Sequence, residues 1–373
     1  MTAEGTSRGS LLRLKRHNAG RHVTIRDVAR AAGVSVSTVS AAVNNTDYVE
    51  AAVRRLHYRP NDLARGLRLQ RTHTIAVVVP DLSNSFYTEM VQGMKDCASA
   101  ASYTLLIGDS REHSDEERKY LDTFHRRRVD GVIRIPPIDD RAGVVGPVLG
   151  GIPVVYADRL LRVRGSDAGG VGVNNAEAAF DATRYLLSLG HRRIAIIVGP
   201  LTVHTAAERL RGYTRALRSN HVSLHRDLIR TGDNQMLGGH HEATELLTRP
   251  DRPTAIFCTN NMMTLGAFQA IQELKLRCPK DVSLLGFDDF YWATLLRPRI
   301  TMVRQPAREI GMSAARVLID VIDGRKGLKK EQSLPTTLMV RESCCPPPTA
   351  EDEAGRRKTE PGRSPRPTER RTV

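Results

Sequence analysis

The sequence predicts two unlike parts in one chain: a small all-α headpiece, then an α/β domain of two lobes built on parallel sheets covered by helices. Three observations carry this. A basic segment near the start has apolar residues at helical spacing. From residue 73 to 340, short β-branched apolar runs alternate with helical stretches, the pattern of a parallel sheet buried on both faces. That span is also too long for one such sheet, so it divides into two lobes.

Residues 1–22 are polar, with Gly, Ser and Arg and no apolar period, and read as a disordered tail. The headpiece spans 23–58. Thr24 followed by Asp27 is a capping-box-like helix start, and Ile25, Val28, Ala29 and Ala32 form one stripe. Gly33 ends that helix, where a left-handed backbone is cheapest. Ser35 or Ser37 caps a second helix whose inner face is Val39 and Val43. Two short helices joined at a glycine form a helix-turn-helix. The second would enter the major groove with its N-terminus first, presenting Val36, Ser37 and Ala41 to base edges. An ordinary helical hairpin fits the same spacing, but the charge favours DNA. Residues 1–72 hold thirteen Lys/Arg against five Asp/Glu, a net +8 of the chain's +15. Residues 59–72 read as a hinge.

In the larger domain, strands are expected at Thr74–Val79, Thr104–Ile107, Val132–Ile135, Val154–Tyr156, Ile194–Val198, Ala255–Cys258 and Val282–Leu285. Helices are expected near Thr88–Ala101, Asp115–Arg127, Glu177–Leu189, Ala206–Arg218 and Met262–Leu274. Ligands of such sheets bind beyond the carboxyl ends of the strands. Residues 341–373 contain Pro346-Pro347-Pro348 and few apolar residues, and read as a disordered tail. That tail has no leucine heptad to build a coiled coil.

Composition excludes several classes. A chain of 373 residues with 40% hydrophobic and 26% charged residues is globular, and it has no apolar run of membrane-spanning length. The basic N-terminus has no secretory apolar stretch, so a cytoplasmic, nucleoid-associated location is expected. Cys97, Cys258, Cys278, Cys344 and Cys345 show no CxxC pairing and no zinc spacing. Neither a disulfide scaffold nor a metal or other cofactor is expected. Gly170-Val171-Gly172 does not complete a dinucleotide fingerprint, and GxxxxGK[ST], HExxH and GxSxG are missing, so the chain is not read as an enzyme. His240-His241 reads as a solvated loop pair.

VTIRDVARAAGVSVSTVSAAVNN (Val23–Asn45) resembles the headpiece of the lactose-repressor/galactose-repressor family of bacterial transcription regulators. YRPNDLARGLRLQRT (Tyr58–Thr72) resembles that family's hinge. PDLSNSFYTEMVQGM (Pro80–Met94), CTNNMMTLGA (Cys258–Ala267) and GFDDFYWATLLRPRITMVRQP (Gly286–Pro306) resemble its effector domain. The resemblance covers about Val23–Val340 in colinear order. It implies a repressor with a periplasmic-binding-protein-like sensor, a double-stranded DNA operator, a small-molecule effector that is usually a sugar and sometimes a nucleobase, and a homodimer or homotetramer. No membrane partner is implied.

By the same resemblance, Val36 and Ser37 fall at base-reading positions, while Thr24, Ser35, Thr38, Ser40 and Asn44 fall at or near the DNA interface. Hydroxyls there position the protein on phosphates without reading sequence. Asn61–Leu67 would form a hinge helix on DNA, with Leu67 as a minor-groove wedge. In the sensor, Phe86, Tyr87, Asp109, Asp158, Arg209, Asn260, Asp288 and Trp292 fall at effector-binding positions. Flat faces suit a ring, an Arg fork suits ligand oxygens, and a carboxylate at a strand end accepts hydroxyls. Taken singly, Asp288 also reads as a helix cap, Arg209 as a surface ion pair, and Phe86 or Trp292 as core.

The chain departs from the family pattern in several places. About ten residues are missing between Val49 and Glu50, which leaves a third headpiece helix of Glu50–His57. A helix so short needs tertiary support. The alternative function follows: a soluble sugar sensor whose DNA-binding headpiece is defective or lost. Ala41 stands where many relatives have an Arg that reads a base, Gly66 weakens the hinge helix, Asn261 replaces a common Asp, and Asp109 a common Asn.

Overall fold

The computed structural model describes residues 23–42, 47–58, 71–140, 149–160, 169–325 and 331–348. The chain forms two compact units, 1–72 and 73–373. The expected tail 1–22, most of the hinge 59–72, and Val43, Asn44, Asn61 and Leu67 lie outside the described residues.

In the first unit, α1 (Ile25–Ala32) and α2 (Val36–Ala42) meet at Gly33, which has φ 69° and donates its N–H to the Ala29 carbonyl. The Asp27 carboxylate accepts from the Thr24 N–H at 3.0 Å and its hydroxyl at 2.7 Å. Ser35 caps α2, accepting from the Thr38 N–H at 3.0 Å, and Ser37 lies 2.7 Å from the same oxygen. The third helix corrects the sequence reading. α3 (Asp47–Leu56) is a ten-residue helix that starts before the expected break. Its Val49 and Ala52 close a core with Val28, Ala29 and Val39. The helix therefore seals the headpiece, because its apolar positions face α1.

The second unit holds two sheets. In the first, the strand order is β11 (Glu331–Leu334), β5 (Gly169–Val173), β4 (Val154–Ala157), β3 (Gly131–Arg134), β1 (Thr74–Val79) and β2 (Thr104–Asp109), all parallel. In the second it is β12 (Thr337–Met339), β10 (Thr301–Arg304), β9 (Ser283–Phe287), β8 (Ala255–Cys258), β6 (Ile194–Val198) and β7 (Ile229–Thr231), parallel except for β12. Helices α4 (Ser85–Ala100) and α5 (Ser114–Arg126) cover the first sheet. Helices α6 (Asn175–Ser188), α7 (His204–Ser219), α8 (Met236–Leu247) and α9 (Asn261–Glu273) cover the second. Helix α10 (Ala307–Ile322) follows β10 in sequence, yet Ile310, Ala314 and Leu318 pack into the core of the first lobe. The chain therefore passes between lobes at 173–175, at 304–307 and at 334–337.

Every expected strand and helix of this unit is present, with shifts of one to three residues at most ends. The additional elements have physical reasons for escaping notice. β5 reads GGVGV, too poor in side chains to look like a strand; a Cβ at Gly170 would meet the Leu160 side chain at 2.8 Å. β7, β10, β11 and β12 have three or four residues each. His240-His241 lies on helix α8 and not in a loop, and His240 pairs with Glu273 of α9 at 2.7 Å.

The C-terminal reading also needs correction. Ser343 is fully buried: its hydroxyl accepts from Thr301 N–H at 2.8 Å, and its carbonyl accepts from Leu284 N–H at 2.8 Å. The chain to Cys345 thus completes the second lobe by satisfying backbone groups of β9 and β10, and the prolines that suggested disorder follow this seal. Residues 349–373 lie outside the described residues.

Helices α4 and α10 cross at Gly93 and Gly311, so that a Cβ at Gly311 would sit on the Met90 carbonyl, well inside contact distance. Gly311→Ala should push the two helices apart and lower stability by about 1–3 kcal/mol. Urea denaturation of the purified chain reads this directly, and an unchanged midpoint would contradict the crossing.

Candidate functional site

A polar cleft lies between the lobes, walled by the segments that follow the strands of both sheets. Its organising groups are two aspartates in matching positions. Asp158 follows β4 of the first lobe with φ 58°, and Asp288 follows β9 of the second with φ 66°. Left-handed backbone at a non-glycine residue is strained, and such strain collects at ligand clamps. Asp is one of the few side chains that tolerates it.

Both carboxylates are buried. Asp158 Oδ1 has no hydrogen-bond partner among the described residues, and burial pushes the carboxyl up to about 6, against the opposing pull of Arg209 and Arg159. Asp288 accepts from Gln305 Nε2 at 2.6 Å and lies 3.8 Å from Arg209 Nη1, yet burial still raises its pKa. Desolvation outweighs the ion pair here because Arg209 spends its donors elsewhere. Its Nε donates to Asn175 Oδ1 at 2.8 Å, Nη1 donates to the Thr259 carbonyl, and its face lies 3.8 Å from the Phe287 ring centre.

Arg159, beside Asp158, is held even more firmly. It donates to both Glu112 oxygens at 2.7 Å, to the Pro136 carbonyl at 2.7 Å and to Tyr87 Oη at 3.0 Å. Burial raises the Tyr87 phenol well above its ordinary range. Asn260 caps α9, accepting from Met263 N–H at 2.8 Å, and donates to the Asn234 carbonyl at 2.8 Å. The lobes are joined by a reciprocal amide pair: Asn84 Nδ2 donates to Asn261 Oδ1 at 3.1 Å, and Asn261 Nδ2 donates to Asn84 Oδ1 at 2.8 Å. Between these groups the free space is about 30 Å³, the room of one or two waters. Ligand pockets measure roughly 300–1,000 Å³, so the lobes here are closed on the cleft.

The structure thus brings Phe86, Tyr87, Asp158, Arg209, Asn260 and Asp288 together around one cleft. Asp109 and Trp292 are not among the residues that line it. Asp109 ends the edge strand β2, and its carboxylate accepts the Arg111 N–H at 3.0 Å. Trp292 lies in the 3₁₀ turn Tyr291–Thr294, 43% exposed, with its ring against Phe290 and Tyr291. The sequence reading missed Glu112, Arg159, Asn84 and Gln305. The strand-end rule that pointed to Asp158 applies equally to its neighbour Arg159 and to Gln305 just after β10.

In the headpiece, Val36 is 42% exposed and Ser35 and Ser37 are exposed at the N-terminus of α2, while Val39 on the opposite side is fully buried. Thr24 is exposed and Thr38 half-buried; Ser40 and Ala41 lie on α2. Among the described residues, no cluster of three metal-ligating side chains occurs and no helix is long and apolar enough to cross a membrane.

A helix-turn-helix unit joined to a two-lobed cleft defines a DNA-binding regulator under ligand control. Residues 24–61 match the model of bacterial regulatory proteins of the lacI family, and residues 183–344 match the periplasmic binding protein-like domain. The catabolite control protein A of Priestia megaterium is 33% identical, with 86% of this chain and 99% of that protein covered. The ribose operon repressor of Escherichia coli strain K12 gives the same identity and coverage. The crystal structure of the lac repressor dimer bound to operator and an anti-inducer superposes with a TM-score of 0.78, at 28% identity, over 87% of this chain and all of that one. The chain belongs to the lacI family and is a ligand-regulated transcriptional repressor.

The pH dependence of stability should report Asp158. A buried carboxyl raised to about 6 binds its proton more tightly in the folded chain than in the unfolded one, so stability falls as pH rises from about 4 through 6. Asp158→Asn lacks this slope. The difference between variant and parent should move by about 3 kcal/mol in the variant's favour across that window and then level off. A difference that stays flat from pH 4 to 7 would show the carboxyl to be unperturbed.

Proposed function

We propose that this repressor is switched by a small polyhydroxylated metabolite, a sugar, that binds between the lobes and alters the grip of the headpieces on a near-palindromic operator. The observation that carries this reading is the pair of strained, buried carboxylates facing one cleft from opposite lobes. Each can accept sugar hydroxyls, and a ligand touching both couples lobe closure to binding. The name of one relative, the ribose operon repressor, supports a sugar. Phe86, Tyr87, Asp158, Arg209 and Asp288 are assigned to effector contact, with Asn260 and the clasp Asn84–Asn261 holding the closed arrangement.

On DNA, Val36, Ser37 and Ala41 read base edges, and Thr24, Ser35, Thr38, Ser40 and Asn44 position the headpiece on the backbone. Asn61 and Leu67 serve the hinge. A two-fold assembly, dimer or tetramer, acts in the cytoplasm and presents two headpieces to two major-groove half-sites. The sealed headpiece core supports a working DNA-binding arm over a sensor that has lost it.

The test has two arms. Mobility-shift titration with the DNA upstream of the gene should give a complex specific over random duplex and steeply weakened by salt. Absence of any specific complex would sink the DNA assignment. A sugar that binds should raise the melting temperature by mass action. Arg209→Ala and Asp288→Ala should each abolish that rise while still unfolding cooperatively; a full response in both variants would place the ligand elsewhere.

A further inference from the structure

The charges around the cleft go beyond calling the ligand a sugar. Four acids line it, Asp81, Glu112, Asp158 and Asp288, against two bases, Arg159 and Arg209. A ligand therefore enters a field that is negative when all six are ionised. The two arginines do not offer a phosphate fork. The four Nη hydrogens of Arg159 are matched by four acceptors of the protein: two Glu112 oxygens, the Pro136 carbonyl and Tyr87 Oη. Arg209 directs Nε and Nη1 to Asn175 and Thr259 and stacks on Phe287. Its Nη2 has no protein acceptor among the described residues, which leaves too few donors for bidentate capture of a phosphate.

An unsatisfied group points the same way. Among the described residues that line the cleft, the one buried side-chain oxygen without a partner is Asp158 Oδ1, an acceptor. A buried acceptor left unpaired costs about 1–3 kcal/mol, so the ligand that stabilises this cleft must bring donors. Neighbouring hydroxyls on a neutral ring supply them. A phosphate dianion supplies acceptors only and meets like charge in a buried, poorly screened site.

Resting on the sugar reading above, we propose that the effector is an uncharged polyhydroxylated ring and that the cleft rejects its phosphate esters. Glu112 is the specificity-determining residue. By holding both Nη groups of Arg159 it removes the one guanidinium fork that would otherwise recruit a phosphate, and it adds a negative charge to the wall.

Isothermal titration of the full chain with D-ribose, D-glucose and D-galactose, each paired with its terminal monophosphate, tests this. At least one free sugar should bind, and its phosphate should bind at least 100-fold more weakly. Asp81→Asn, whose carboxylate bonds only to Ser83 among the described residues, should leave the fold intact and narrow that ratio several-fold. Glu112→Gln should narrow it further. A monophosphate that binds as tightly as its parent sugar overturns the inference and leaves the sugar reading standing. Binding of none of the six, with hypoxanthine bound instead or with no ligand at all, overturns both.

Discussion

The cost of burying ionisable groups between two lobes governs this molecule. Asp158 and Asp288 are forced by strand geometry into left-handed backbone at facing positions, and neither is fully compensated by the guanidinium groups nearby. A buried ion pair is a poor source of stability, because desolvation takes back most of the Coulomb gain. The arrangement persists because it is held from outside. Parallel sheets bring their carboxyl ends to the cleft, and the chain's crossings at 173–175, 304–307 and 334–337 hold one sheet opposite the other.

Seen this way, the closed lobes are in balance rather than locked. The reciprocal amide pair Asn84–Asn261 holds them with two neutral hydrogen bonds, worth about 1 kcal/mol each at most sites. The buried charges oppose them. A ligand that donates to the unpaired Asp158 oxygen, as proposed above, would remove part of that opposition and so favour the closed state over an open one, the differential affinity a switch requires. Asn261 matters here: an aspartate at this position would accept from Asn84 but could not donate in return, and would add a further charge to the lobe interface.

Much of this was legible in the sequence. Helical period and a glycine at the turn gave the helix-turn-helix, because α1 and α2 are set by local capping and one apolar stripe. Continuous β-branched runs gave the central strands, since such strands are buried on both faces. What escaped was set by tertiary contact. GGVGV is a strand only because another segment passes close above it, and α10 lies in the first lobe although its neighbours in sequence lie in the second. In the site, Asp158 and Asp288 could be found at strand ends, whereas Glu112 sits in a connecting loop and acts through Arg159, a relation between residues 47 apart that no local pattern encodes. Asp109 and Trp292 lie beside strand ends too, but neither lines the cleft.

The order in which the lobes are completed bears on how the chain emerges from the ribosome. The first lobe lacks a core helix until 307–322 is synthesised and an edge strand until 331–334, and the second lacks the plug at Ser343. Neither half can finish its interior before nearly the whole polypeptide is out, and the first lobe passes through a period with an apolar sheet face uncovered. Such intermediates are prone to aggregate. Nascent chains of this protein should therefore depend on chaperone shelter, and should tolerate C-terminal truncation only as far as the residues beyond Cys345.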